Sequence, residues 1–125
     1  MPNLFLCHPG CTTCGKARAW LAAHRISHVE QDIRTPNPTA EQLRAWSARS
    51  GLPVRRLFNT SGLQYRSLGL SAKLDGMTPD EMLALLATDG MLVKRPILVM
   101  ESGTVLVGFR EPEWERALGG PGAPA

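Results

Sequence analysis

Near the N-terminus, the spacing of apolar residues changes from that of a buried strand to that of an amphipathic helix. Leu4–Cys7 is a short apolar run closed by His8-Pro9-Gly10, which predicts a buried strand ending in a turn. The period then becomes helical, with apolar residues spaced three and four apart, which predicts a helix from about Thr12 to Arg25. A Cys-x-x-Cys motif, Cys11 to Cys14, therefore lies where a strand turns into a helix.

The segment that follows predicts a second strand and then a helical region. Val29–Ile33 alternates apolar and polar residues, so it completes a strand-helix-strand unit with parallel strands and a right-handed crossover. Residues from about 35 to 94 carry two capping boxes, Thr39–Gln42 and Thr78–Glu81, and both predict helix starts. Asn59–Gly62 between them is turn-like, and its register stays open.

The last third returns to strands and ends in a helix. Ile97–Met100 and Thr104–Val107 flank a hairpin signal at Glu101–Gly103, and a helix is expected from Pro112. The order βαβ, helices, ββα predicts an α/β, thioredoxin-like fold with a mixed sheet and an all-helical insertion between its two halves. We expect one domain over residues 1–118 with the insertion at about 35–94, followed by a flexible Gly/Pro-rich tail at 119–125.

Composition narrows the function classes. The chain has 125 residues, a net charge of +3 and an isoelectric point near 9.1, and its Lys and Arg residues are dispersed. This distribution argues against direct nucleic-acid binding, but it suits a site for a small oxyanion or a glutathione carboxylate. No run approaches the roughly 18 apolar residues of a membrane span. We expect a cytoplasmic protein without membrane contact.

The three cysteines, Cys7, Cys11 and Cys14, are crowded into one segment, so they cannot tie distant loops together. Their use is therefore expected to be chemical. Cys11 precedes a helix whose unpaired N–H groups and positive dipole end favour a thiolate. Cys14 lies one turn further and can resolve a disulfide formed at Cys11. We expect Cys11 to be the nucleophile, with a lowered pKa, and Cys14 to be the less exposed resolving thiol.

Two other interpretations of these cysteines stay open. Cys7, Cys11 and Cys14 could form a three-thiolate metal or cluster site, although such enzymes need a larger scaffold and Cys7 ends a strand. An inert buried pair is the second alternative, since free cysteine is often buried. The expectation is no metal, with Cys7 as a core residue at the strand end.

Two arginines and a proline in the last third are further site candidates. Arg95-Pro96 stands directly before a strand, where Pro96 marks either a simple strand start or a cis bond that presents backbone to a substrate. Arg95 and Arg110 are candidates for holding an anion. The alternative for each arginine is a solvated surface position.

Six segments in order resemble the glutaredoxin-linked arsenate reductase and Spx superfamily over about residues 3–118. They are Cys11-x-x-Cys14, Lys16-Ala17-Arg18-Ala19-Trp20-Leu21, Asn59-Thr60-Ser61-Gly62, Leu68-Gly69-Leu70, Asp89–Pro96 and Val107-Gly108-Phe109-Arg110. The resemblance implies a thioredoxin-like fold, a catalytic cysteine at Cys11, and an oxyanion site that includes Arg95 and Arg110.

The two branches of this superfamily imply different functions. Its arsenate reductases typically use one cysteine with glutathione and glutaredoxin, and carry an arginine where this chain has Asn59. Its Spx-type regulators share the dithiol motif and bind RNA polymerase, and they commonly have arginine where this chain has Gly15. The first branch implies a reductase with no bound cofactor, served by glutathione, glutaredoxin or a thioredoxin-type reductant. The second implies a redox-sensing regulator that binds the RNA polymerase α subunit.

Overall fold

The computed structural model describes residues 3–119, and the predicted tail lies outside this part of the chain from residue 120 onward. Backbone contacts divide the chain into two compact units. The first unit combines the residues up to Gln31 with those from Arg95 onward, and the second is Asp32–Lys94. Within residues 3–119, no helix is long and apolar enough to span a bilayer.

A four-stranded sheet organises the first unit. Its strands are β1 (Leu4–Cys7), β2 (Val29–Asp32), β3 (Ile97–Val99) and β4 (Val105–Val107), arranged in the order β2-β1-β3-β4. β3 pairs antiparallel with both β1 and β4, and Leu6 lies opposite Ile97. The pairing of β1 with β2 completes a mixed sheet, which confirms the predicted α/β, thioredoxin-like class.

Two helical segments supply the rest of the first unit: α1 (Thr12–Ala23), and the short α6 (Glu111–Trp114), which continues as a π-helical turn over Glu115–Gly119. Trp114 is fully buried, and its indole N–H donates to the Gly108 carbonyl at 3.1 Å. Its ring packs edge-to-face against Trp20 of α1, with centroids 5.6 Å apart. These aromatic contacts attach the C-terminal segment to the α1 helix that carries Cys14.

The second unit is helical, as the capping boxes predicted. It contains α2 (Ala40–Ser50), α3 (Leu63–Ser67), α4 (Leu70–Lys73) and α5 (Pro79–Leu86), with 3₁₀ turns at Val54–Leu57, Leu74–Gly76 and Gly90–Leu92. The Thr39 and Thr78 hydroxyls each accept the N–H three residues on, at 3.1 Å, and the Gln42 and Glu81 side chains accept the N–H groups of Thr39 and Thr78. Both predicted capping boxes are therefore confirmed.

Several predicted element ends were wrong by one or two residues. The α1 helix ends at Ala23 instead of Arg25, because the His24 N–H bonds back to Ala22 and Trp20 carbonyls and Arg25 has a φ of 55°. A left-handed residue stops helical propagation. The final helix begins at Glu111, one residue before the expected Pro112, and proline at its second position costs no intrahelical hydrogen bond.

Other boundaries also differ from the sequence expectation. Strand β2 ends at Asp32 instead of Ile33, β3 ends at Val99 instead of Met100, and β4 begins at Val105 instead of Thr104. Asn59–Gly62, which the sequence left open, is a turn closed by the Gly62 N–H bonding to the Asn59 carbonyl at 3.1 Å. Residue-level ends depend on local hydrogen bonds that hydrophobic periodicity does not encode.

Candidate redox site

Cys11 occupies the N-cap of α1, with φ −87° and ψ 117°. Its sulfur accepts the backbone N–H of Cys14 at 3.4 Å, as a serine or aspartate oxygen does at many helix starts. Its own N–H donates to the His8 carbonyl at 3.0 Å, which closes the turn after β1. The sequence His8-Pro9-Gly10 thus places one thiol directly at the positive end of a helix.

Strand register brings Arg95 to the same end of the sheet. Because Leu6 lies opposite Ile97 in the antiparallel pair, the residues after β1 and those before β3 leave the sheet at the same edge. Arg95 is two residues before Ile97, and its guanidinium interacts with the Cys11 sulfur by charge and by a hydrogen bond. A cation 84 positions away in sequence is thereby placed beside the exposed thiol of the motif.

The pKa of Cys11 is lowered from its usual value. Burial is the largest single influence and opposes the shift, since it disfavours the charged sulfur. Hydrogen bonds from the Cys14 backbone and side chain, together with the positive charge and hydrogen bond of Arg95, outweigh it. Cys11 is partly exposed. It therefore combines thiolate character with access, the two properties of a reactive cysteine.

Cys14 has the opposite environment. Its exposed fraction is 0%, and burial raises its pKa to about 12, an effect only partly offset by a backbone hydrogen bond from His8. A hydrogen bond to the Cys11 sulfur raises it further. Cys14 therefore keeps its proton at neutral pH, whereas the lowered pKa of Cys11 favours the thiolate form of that sulfur. Cys14 is thus less exposed than Cys11, as the sequence predicted.

The sequence reasoning missed a network beneath the motif. Cys7 is 1% exposed, and the Arg18 guanidinium reaches its sulfur at 3.6 Å while binding both carboxylate oxygens of Glu30 at 2.7 and 3.0 Å. Burial, together with Glu30, raises the pKa of Cys7 to about 11 despite the Arg18 charge. These contacts depend on how β1 and β2 pack against α1, so no short sequence signal reveals them.

Pro96 and Arg110 have different surroundings. The Arg95–Pro96 bond is cis, and the Pro96 carbonyl accepts the Gly108 N–H at 2.7 Å, which joins the segments preceding β3 and following β4. Arg110 is the N-cap residue of α6, its side chain is 73% exposed, and it pairs with Glu113 at 3.6 Å. Cys11, Cys14 and Arg95 thus lie together in the structure, whereas the Arg110 side chain pairs with Glu113.

His8 lies in the turn that precedes Cys11. The His8 ring accepts the Gly10 N–H at 3.1 Å through Nδ1, so it stabilises the turn that positions Cys11. All three cysteines are free thiols. Across residues 3–119, no group of three cysteine, histidine or carboxylate side chains has an arrangement that could hold a metal ion.

A thioredoxin-like sheet with a Cys-x-x-Cys motif at the start of its first helix places the chain among the thioredoxin-like proteins. The model of the ArsC family matches residues 6–117, and the chain belongs to that family. It is 46% identical over 115 residues to the uncharacterized protein YusI of Bacillus subtilis, with 92% of this chain and 97% of that protein covered. The global transcriptional regulator Spx 1 of Lactococcus lactis is 33% identical, with 90% and 85% covered.

Solved structures give the same result for the fold. An ArsC family related protein from Bacteroides fragilis superposes with a TM-score of 0.88 at 52% identity, covering 93% of this chain and 98% of that one. A protein described as a possible arsenate reductase, from Streptococcus mutans, has a TM-score of 0.78 at 43% identity, with 86% and 91% covered. The predicted superfamily is confirmed, and its two branches both appear among the relatives.

Proposed function

We propose that the protein is a thiol-dependent reductase of the arsenate-reductase-like type, with Cys11 as nucleophile and Cys14 as resolving thiol. The observation that carries the proposal is the contrast between the two sulfurs. Cys11 is accessible, has a lowered pKa and lies beside Arg95, whereas Cys14 is fully buried with a pKa of about 12. A dithiol that works in sequence requires this asymmetry, because only one thiol should attack first.

The chemistry balances with two electrons from the dithiol. The Cys11 thiolate attacks a disulfide sulfur and expels a thiolate, or it condenses with an oxyanion such as arsenate and releases water. Cys14 then loses its proton and attacks the Cys11 sulfur, so that the substrate leaves with the electron pair and a Cys11–Cys14 disulfide forms. An external thiol, such as glutathione, glutaredoxin or a thioredoxin-type protein, restores both thiols.

Arg95 and Arg110 have unequal places in this proposal. Arg95 is beside the Cys11 sulfur, where a guanidinium stabilises both the thiolate and the negative charge of an oxyanion. Arg110 would act only after its exposed side chain leaves Glu113 to bind the substrate. The backbone at Pro96 would position the substrate next to Cys11. Asn59, where the arsenate reductases carry arginine, makes a disulfide an equal candidate to arsenate.

A coupled assay tests the catalytic proposal. Purified protein is supplied in parallel with arsenate or a small disulfide, in the presence of glutathione and glutaredoxin, and turnover of the reductant is followed. We expect activity with at least one substrate, and Cys11→Ser to reduce it on the order of a thousandfold or more, since it removes the nucleophile. Cys14→Ser should retain the first attack and, with a small disulfide in the absence of glutathione and glutaredoxin, accumulate the mixed disulfide at Cys11. Equal rates for wild type and Cys11→Ser would disprove the proposal.

A second candidate function is a redox-sensing regulator that binds the RNA polymerase α subunit. The relative named Spx 1 supports it, as does the dithiol followed by the run from Lys16 to Leu21. A surface groove of about 510 Å³ borders this helix and is lined in part by Lys16, Trp20 and Phe109. Pull-down of the α subunit with reduced and with oxidised protein tests it. Capture in one redox state supports the regulator, and no capture in either state rejects it.

A further inference from the structure

Cys7 is a buried nucleophilic group that the proposed reaction leaves unused. It ends β1, it is 1% exposed, and it belongs to the same apolar cluster as Cys14, with Cys11 packed against that cluster. Its sulfur also receives the Arg18 guanidinium at 3.6 Å. Burial and Glu30 raise the pKa of Cys7, and the Arg18 charge opposes that rise, so Arg18 favours the thiolate that Cys7 must form during exchange.

Two observations place Cys7 next to Cys14. The backbone N–H of His8, the residue directly after Cys7, bonds to the Cys14 sulfur. In addition, Cys14 and Arg18 are four residues apart and share one face of α1, and Arg18 reaches Cys7 from that face. The Cys14 sulfur therefore lies close both to Cys11 and to the end of β1.

From this arrangement we infer that Cys7 is a third redox thiol, which accepts the disulfide from Cys11 and forms a Cys7–Cys14 bridge. The inference rests on the Cys11–Cys14 disulfide of the proposed function. The Cys7 thiol loses its proton to solvent and its sulfur attacks Cys14. The Cys11–Cys14 bond breaks, the Cys7–Cys14 bond forms, and Cys11 leaves as a thiolate. No net oxidation occurs, so no further oxidant is needed.

Leaving-group chemistry gives the exchange its direction. In thiol-disulfide exchange the thiol of lower pKa leaves faster, and its reduced form is the more stable at neutral pH. The pKa of Cys11 is lowered, whereas those of Cys7 and Cys14 are raised to about 11 and about 12. The bridge between the two less acidic thiols is therefore favoured. The consequence is that the oxidised protein holds its disulfide inside and regains a reactive Cys11.

Differential labelling of one peptide tests this relay. Trypsin releases residues 1–16 as a single peptide containing all three cysteines, because Lys16 is the first basic cleavage site. Reduced protein is treated with one equivalent of diamide and quenched with acid at increasing times. Free thiols are then labelled with iodoacetamide under denaturing conditions, and the remaining cysteines are reduced and labelled with N-ethylmaleimide. Tandem mass spectrometry identifies which of the three cysteines was free.

The expected result is a shift of the free-thiol label from Cys7 to Cys11 with time, with Cys11 carrying most of it at equilibrium. A label that stays on Cys7 at all times overturns the relay. Arg18→Gln should slow the shift because it removes the cation at Cys7. Arg49→Gln, an equal charge change at an exposed position of the second unit, should leave the rate unchanged. Equal slowing by both substitutions would contradict the assigned role of Arg18.

Two cysteine variants separate this inference from the proposed function. Cys7→Ala should still form the Cys11–Cys14 disulfide, and if it does not, the dithiol reaction itself fails. Cys11→Ser lacks the exposed thiol through which oxidation enters, so it should leave the buried Cys7 and Cys14 thiols free. If Cys7→Ala forms its disulfide but the free-thiol label of the wild type stays on Cys7, the relay is wrong and the proposed reductase stands.

Discussion

The two units differ in how far apart in sequence the residues are that determine their structure. In the second unit, helix starts are set by side chains three residues apart, as at Thr39 and Thr78. In the first unit, the site requires partners far apart in sequence, since Arg95 must reach Cys11 and Trp114 must pack on Trp20. Local signals therefore account for the helical unit, whereas the redox chemistry depends on the pairing of distant strands. Substitutions in each unit should separate stability from thiol chemistry.

The largest effect is expected from Trp114→Ala in the first unit. Removing a fully buried indole that also donates to Gly108 should lower the free energy of unfolding by about 3–5 kcal/mol. Because Trp114 shares a cluster with Cys14, the alkylation rate of Cys11 should change as well. Denaturant titration and iodoacetamide kinetics measure the two effects.

Leu86→Ala is the matched substitution in the second unit. Leu86 is fully buried in α5, and its truncation should cost about 2–5 kcal/mol. Under conditions where this variant is still folded, Cys11 should be alkylated at the wild-type rate. If Leu86→Ala alters Cys11 reactivity as much as Trp114→Ala does, the contrast between the two units is wrong.

Alkaline pH should destabilise the protein through Cys14. Its unfolded thiol ionises near pH 8.5, whereas the folded pKa of about 12 keeps the proton on. Above pH 8.5 the unfolded state binds fewer protons than the folded state, so the free energy of unfolding falls as pH rises towards 12. The part of the loss that comes from Cys14 should reach about 2 kcal/mol near pH 10, at 1.36 kcal/mol for each pH unit.

Two variants test whether thiols of the first unit cause this fall in the free energy of unfolding with pH. Cys14→Ala should roughly halve the decline in stability between about pH 8.5 and pH 10, measured by urea unfolding of the reduced protein, because the raised pKa of Cys7 contributes a similar loss. Leu86→Ala should keep the wild-type slope from a lower starting stability. An unchanged slope in Cys14→Ala would mean that the thiol does not carry the alkaline loss.

Arg95→Gln should raise the pKa of Cys11. The guanidinium favours the thiolate by its charge and by a hydrogen bond, and removal of such a neighbour shifts a pKa by about one unit. The pH profile of Cys11 alkylation, followed together with thiolate absorbance, should move to higher pH. Arg110→Gln provides the comparison: because its side chain is exposed and pairs with Glu113, it should shift the profile much less. Equal shifts of the profile in the two variants would show that both arginines lower the pKa of Cys11, which contradicts the separate places assigned to them.

Much of this fold could be predicted because its signals are short in range. The capping boxes at Thr39 and Thr78, and the strand-turn-helix pattern at Cys11, each use fewer than about a dozen neighbouring residues. The network of Arg18 with Cys7 and Glu30 could not, because it depends on how β1 and β2 pack against α1. For Arg110 the sequence left two positions open, an anion site and the solvated surface, and the structure gives an exposed side chain paired with Glu113.

The smallest effects are expected from the helix caps of the second unit. Thr39→Ala and Thr78→Ala each remove a hydroxyl that accepts a backbone N–H at 3.1 Å, and each should cost about 1 kcal/mol. Thr39→Ser and Thr78→Ser keep the acceptor and should restore most of the loss. Urea unfolding measures the stability, while the Cys11 alkylation profile should stay at wild type in all four variants. A cap variant that shifted the Cys11 profile would show that the helical unit tunes the thiol chemistry, and the division between a locally ordered unit and a chemically active one would no longer hold.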